Sequence, residues 1–156
     1  MIMFALALLV VLLDQLTKYL INGNLPLGDS LPLIPGVLHI THVDNPGAAF
    51  GLFQNQRLLL IIVSLVAIAF ILLFHRRSGS ESIWVPFGLG LVLGGAIGNL
   101  IARIIHGKVT DFIDFRIWPV FNLADASVVI GLTLLAYCLL IGKGKGWGTR
   151  RSGEAE

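Results

Sequence analysis

Charge is scarce in this chain: only 13% of its 156 residues are charged, and it contains a single cysteine. One cysteine cannot build a disulfide framework. Beside 56% hydrophobic residues and a mean hydropathy of +0.87, the low charge excludes a water-soluble monomer and a disordered chain. A net charge of +2 cannot neutralise the row of phosphates that a nucleic acid presents, so no nucleic-acid partner is expected. The chain also lacks the basic start and small-residue cleavage site of a signal peptide. Its first apolar run continues through Asp14, Gln15 and Lys18 and reads as a retained span.

What the chain has instead is four apolar stretches, at residues 1–21, 58–74, 83–105 and 124–142. At about 1.5 Å per residue, helices of these lengths cross a hydrocarbon core of roughly 30 Å. The expected fold is an all-α integral membrane protein, with four transmembrane helices and a small extracytoplasmic β-containing segment. Residues 1–142 would form one membrane domain, followed by a basic, flexible cytoplasmic tail at 143–156. His75, Arg76 and Arg77 lie between the second and third spans, and Lys143, Lys145, Arg150 and Arg151 lie in the tail. By the positive-inside rule both regions are cytoplasmic, which puts both termini inside and segments 22–57 and 106–123 outside. The six aspartates then gather in the outer segments or the outer halves of spans, and the three glutamates fall inside. A carboxylate cluster on one face suggests a site there.

Within the first outer segment, residues 37–43 alternate weakly and are rich in β-branched side chains. They lie between Pro and Gly punctuation and the Asn45, Pro46, Gly47 turn signal, and they predict a strand in a small surface sheet. Residues 48–56 are expected to form a short interfacial helix, with Phe50 and Phe53 in lipid. In the third span Gly90, Gly94, Gly98 and Ala102 recur every four residues and draw one stripe for close helix packing. Gly95, Asn99 and Arg103 share a second face, expected to be polar at its outer end. Trp84 and Trp118 read as interface anchors.

Polar residues inside spans are costly, so each calls for a reason. Asp14 lies about 10 Å below the outer end of its span; a helix-to-helix hydrogen bond or a salt bridge with Arg103 would account for it. Asp125 falls in the first turn of the fourth span, where the helix dipole and free N–H groups favour negative charge, and Asn122 is a natural N-cap. Asp111 would fold back over that helix start from the loop that leaves the third span. Two carboxylates in a partly dry site cannot both ionise easily, and a shared proton suits them to activating water. Taken alone, two aspartates in outer loops are more often simply solvated.

The surrounding residues reverse that weighting. Asp14, Gln15, Thr17 and Lys18; Asn45, Gly47, Ala48, Ala49 and Phe50; Gly94, Gly95, Ala96, Gly98, Asn99, Leu100 and Arg103; Asp111, Phe112, Ile113 and Asp114; and Phe121, Asn122, Leu123, Ala124 and Asp125 occur in that order. In this, the chain resembles the bacterial lipoprotein signal peptidases, the type II signal peptidases, over almost its whole length. The resemblance implies an aspartic endopeptidase of the bacterial cytoplasmic (inner) membrane that cuts prolipoproteins before a diacylglyceryl-modified cysteine. It places the catalytic pair on Asp111 and Asp125 and supporting residues on Asp14, Asn45, Asn99, Arg103 and Asn122. It further implies lipid-modified prolipoprotein substrates and inhibition by a globomycin-type cyclic peptide; contact with membrane lipids, a monomer, and no cofactor or metal are expected beside it. Where the family motif usually has Asp before its arginine, this chain has Ala102.

Other chemistries lack their residues. His39 and His42 share a His-x-x-His spacing, but no Glu follows the first and the stretch reads as strand. Neither Ser64 nor Ser127 lies in a Gly-x-Ser-x-Gly motif. The alternative outside enzymology is a small transporter or channel subunit with an acidic ion site on its outer face. It would call for polar residues at several depths, whereas these crowd at one.

Overall fold

The computed structural model describes residues 1–47, 53, 56–77 and 82–142. Four helices are long and apolar enough to cross a membrane: α1 (Ile2–Asn24), α2 (Arg57–Arg77), α3 (Trp84–His106) and α4 (Leu123–Gly142). Three strands complete the fold, β1 (Ser30–Ile34), β2 (Leu38–Asn45) and β3 (Val109–Asp114), as one antiparallel sheet in the order β1-β2-β3. The expected strand at 37–43 is therefore the centre of a larger sheet that draws on both inter-span segments. Most of the interfacial helix expected at 48–56, and the tail at 143–156, lie outside the described residues; Phe53 is half-exposed with a φ of 56°.

The centre of the bundle is α3. Two thirds of its apolar window (67%) is buried, against 6% for α2, because α1, α2 and α4 all pack on it. On α1 the buried positions Met3, Ala7, Val10, Asp14 and Lys18 recur at three- and four-residue intervals and form one face. The glycine stripe of α3 meets that face. A methyl group on Gly90 would strike the Met3 backbone, one on Gly94 would lie 2.6 Å from Val10 Cβ, and one on Gly98 would lie 2.6 Å from Asp14 Oδ2. The second face of α3, expected to be polar at its outer end, carries Asn99 and Arg103 there and is in addition a packing face along Gly88 and Gly95. Gly95 lies against Ala124 and Val128 of α4, and Gly88 against Leu135 and Gly131. Small residues on two sides are what let one helix hold two neighbours at close range.

The sheet is tied to the bundle through β3. It follows α3 after a left-handed turn at Gly107 (φ 75°), which a side chain would strain. Thr110 Oγ1 then donates to Asn22 Oδ1 at the end of α1 (3.0 Å). Past the strand, the Phe121 backbone pairs with Ile113, returning the chain to the start of α4.

Candidate active site

Asp111 comes not from a loop but from the buried edge strand β3, where it is 2% exposed. Its register partner is Val43 of β2. Because strand side chains alternate, Asn45 of β2 shares the face of Asp111, and its Nδ2 donates to Asp111 Oδ2 (2.9 Å). The sheet thus supplies one carboxylate and one of its donors.

The start of α4 supplies the other carboxylate. Asn122 and Asp125 form a reciprocal cap: the Asp125 N–H donates to Asn122 Oδ1 (3.0 Å), and the Asn122 N–H donates to Asp125 Oδ2 (3.2 Å). Asn122 is fully buried. Its Nδ2 donates to Asp111 Oδ1 (2.6 Å) and to Asn99 Oδ1 (3.2 Å), while Asn99 Nδ2 donates to Asp125 Oδ1 (2.7 Å). One amide therefore caps the helix, holds Asp111 and reaches the residue that holds Asp125. The two carboxylates are close enough for the charge of Asp125 to act on Asp111.

Asp14 supports this site from below and is tied into α4. Its Oδ1 accepts the Ala124 N–H (3.1 Å), a second otherwise orphaned donor of the first turn. Its Oδ2 accepts from Gln15 Nε2 (2.9 Å) and from Lys18 Nζ (2.7 Å), and Gln15 continues to the Gly98 carbonyl (3.0 Å). The helix-to-helix bond expected of Asp14 is present; its ionic partner is Lys18 one turn along α1, not Arg103. Arg103 instead donates to the carbonyls of Asn99 (3.5 Å) and Gly47 (3.3 Å), near enough to act electrostatically on Asp111 and Asp125. Its buried Nε has no partner among the described residues. Ala102 is buried and follows Gly98 on the α1-facing stripe.

The two aspartates of β3 have opposite electrostatics. Burial pushes Asp111 up to about 6, helped by the neighbouring charge of Asp125 and opposed by hydrogen bonds from Asn45 and Asn122 and by the Lys18 charge. Burial also acts on Asp114, but donation from Thr41 Oγ1 (2.7 Å), the Arg116 N–H (2.7 Å) and the Arg116 guanidinium (3.1 Å) outweighs it. These bonds hold the Asp114 carboxyl below the usual carboxylate range. Asp114 is thus a fixed, ionised tie, whereas Asp111 can exchange a proton near neutrality. Asp44 lies away from this network in an ion pair with Lys108.

All seven site residues expected from the sequence, Asp14, Asn45, Asn99, Arg103, Asp111, Asn122 and Asp125, therefore enter one connected network. Lys18 was not singled out as a site residue, although its i,i+4 spacing from Asp14 inside an apolar span was a legible signal.

The profile of the Signal peptidase (SPase) II family matches residues 6–141. The lipoprotein signal peptidase of Halothermothrix orenii is 47% identical over 132 residues, 85% of this chain and 90% of that protein. That of Moorella thermoacetica is 46% identical over 140 residues, 90% and 93%. A bacterial membrane enzyme solved in meso at 2.3 Å superposes with a TM-score of 0.87 at 32% identity, covering 99% of this chain and 94% of its own. A second, at 1.9 Å, gives 0.82 at 34% identity, covering 88% and 92%. The matched residues span the whole network from Asp14 to Asp125, and the chain belongs to the signal peptidase II family of bacterial membrane proteases.

Proposed function

We propose that the protein removes the signal peptide of prolipoproteins by aspartic catalysis, cutting on the N-terminal side of a diacylglyceryl-modified cysteine. The observation that carries this reading is the link between two carboxylates through one buried amide: Asn122 holds Asp111 and caps the helix turn that bears Asp125. With Asp111 pushed up to about 6 by burial, the pair holds one proton on the acid side of neutrality and exchanges it readily near pH 6. The ionised member takes a proton from water, and the resulting hydroxide adds to the scissile carbonyl while the protonated member donates a hydrogen bond to its oxygen. The tetrahedral intermediate then collapses, the C–N bond breaks, and the amine leaves with the proton taken from water.

The membrane setting suits this substrate. A signal peptide is itself a membrane helix, and it enters laterally between spans to present its scissile bond at the depth of α3's outer end and α4's start. The acyl chains stay in lipid. With the basic cluster at His75, Arg76 and Arg77 inside, both termini are cytoplasmic and the dyad lies near the extracytoplasmic face. The protein works as a monomer without a metal or cofactor.

The test is cleavage of a diacylglyceryl-modified prolipoprotein in detergent. Asp111→Asn and Asp125→Asn should each lose at least about 10³-fold in kcat while remaining folded, and globomycin should block the parent. Full activity in either variant refutes the dyad.

A further inference from the structure

Lys18 is an ammonium group where an ammonium is costly, 5% exposed on a membrane helix. Its Nζ donates to Asp14 Oδ2 (2.7 Å) and, across the interface with α3, to Asn99 Oδ1 (2.9 Å). The first bond is an i,i+4 pair that balances charge within α1. The second reaches the dyad. Asn99 Oδ1 accepts from both Lys18 and Asn122 Nδ2, and two donors converging on one oxygen leave its amide a single orientation. In that orientation Nδ2 points at Asp125 Oδ1 (2.7 Å). A flipped amide would set its NH2 against the ammonium and against the Asn122 NH2, and would turn an oxygen toward a carboxylate. The Asn122 nitrogen that shares Asn99 Oδ1 is the one that holds Asp111.

We infer that Lys18 is a positioning residue for the hydrolytic dyad: through Asn99 it orients the donor on Asp125, and its charge sets the pH range over which the Asp111 and Asp125 pair keeps one proton. This rests on the aspartic reading above. The Lys18 charge reaches both carboxylates. Among the described residues, the ionisable groups that face the pair are few. They are Lys18 and Asp14 from α1, Arg103 from α3, and the two aspartates themselves from β3 and α4; β2 contributes the uncharged Asn45.

The two charges on α1 can be removed separately, and the inference fixes the sign of each result. A nearby positive charge favours an ionised carboxylate. Lys18→Met should therefore move both limbs of the pH profile of kcat/KM to higher pH, by about one pH unit, and lower kcat about tenfold or more with KM little changed. Asp14→Asn leaves the Lys18 charge without its counter-charge, so both limbs should move to lower pH. The double variant should return toward the parent profile.

Lost packing reduces the amount of folded enzyme but moves no limb. Limbs that stay in place in both variants, or move in the same direction, overturn the inference. Where Lys18→Met yields no folded protein, the sign of the Asp14→Asn shift decides. Where a variant is too slow to assay, infrared titration of its carboxylate bands gives the same sign. Active Asp111→Asn or Asp125→Asn enzyme would sink the dyad itself, whereas inactive forms beside unmoved limbs would sink only the role of Lys18.

Discussion

Asp111 is held in a state that disfavours its charge, and this has a consequence for stability as well as for chemistry. Its folded pKa of about 6 lies above the ordinary 3.8. A carboxyl shifted upward stabilises the fold fully below its unfolded value, and that contribution is lost as pH rises through the folded value. The parent should therefore lose thermal stability between about pH 4 and 7, a change of roughly 2–3 kcal/mol from this group. The decline should flatten in Asp111→Asn, as measured by melting in detergent across pH. A decline of equal size in the variant would show that another group causes it. Asp14 presents the opposite case, a carboxylate whose partners are all built in. Replacing it with alanine strands the Lys18 ammonium and frees the Ala124 N–H, and should cost about 3–5 kcal/mol. Asp14→Asn keeps one acceptor oxygen, enough for the Lys18 ammonium or the Ala124 N–H but not for both, and should melt above Asp14→Ala and below the parent. The scarcity of polar groups in an apolar chain drew attention to Asp14, Asp111 and Asp125, and the family resemblance singled out Asn45, Asn99, Arg103 and Asn122 beside them. The i,i+4 spacing of Lys18 from Asp14 was a legible signal, whereas the turning of Arg103 to the carbonyls of Asn99 and Gly47 was not, since it depends on how α3 is rotated against its neighbours.

At the scale of elements, α3 is the helix whose composition most constrains the fold. Gly94 and Gly98 on one side and Gly95 on another leave no room for a methyl group. Gly94→Val should therefore separate α1 from α3 and lower the melting temperature sharply, with a cost above about 3 kcal/mol from overpacking. Gly23 is the internal control: it is helical with nothing within 4 Å of an added Cβ, and Gly23→Ala should be neutral or stabilise by up to about 1 kcal/mol. Equal destabilisation by both substitutions would contradict the packing described for α3. The four-residue period of glycines pointed to one packing face, and the structure has two. A period identifies a stripe, but the off-stripe Gly88 and Gly95 acquire meaning only from a second neighbour. The strands show the same limit: β2 carries a readable alternation, whereas β3 is buried along most of its length, so its aspartates read as loop residues.

For the whole molecule, the proposed orientation places the cations that end α2 and follow α4 in the cytoplasm. A periplasm-dependent reporter such as alkaline phosphatase should be inactive when fused after Arg77 and active when fused at Arg116. The reverse pattern would move the site to the cytoplasmic side and remove its access to exported substrates. Alternation of spans across the bilayer also explains why segments far apart in sequence meet. The segment after α1 and the segment after α3 emerge on the same side, where β2 and β3 pair, and Asn45 comes to hold Asp111.

The sequence by itself determined that this is a membrane chain of four spans, because burying so much apolar surface in water-facing form is impossible and helices of about 20 residues satisfy their own backbone in lipid. It also drew attention to Asp14 and Asp125, because a charge inside a span must offset its cost of insertion. Only the tertiary structure decided how those residues are wired. Hydrogen bonds act over about 3 Å, a precision fixed by the glycine-controlled approach of α1 and α4 to α3 and by the register of β2 on β3, and no spacing along the chain encodes it.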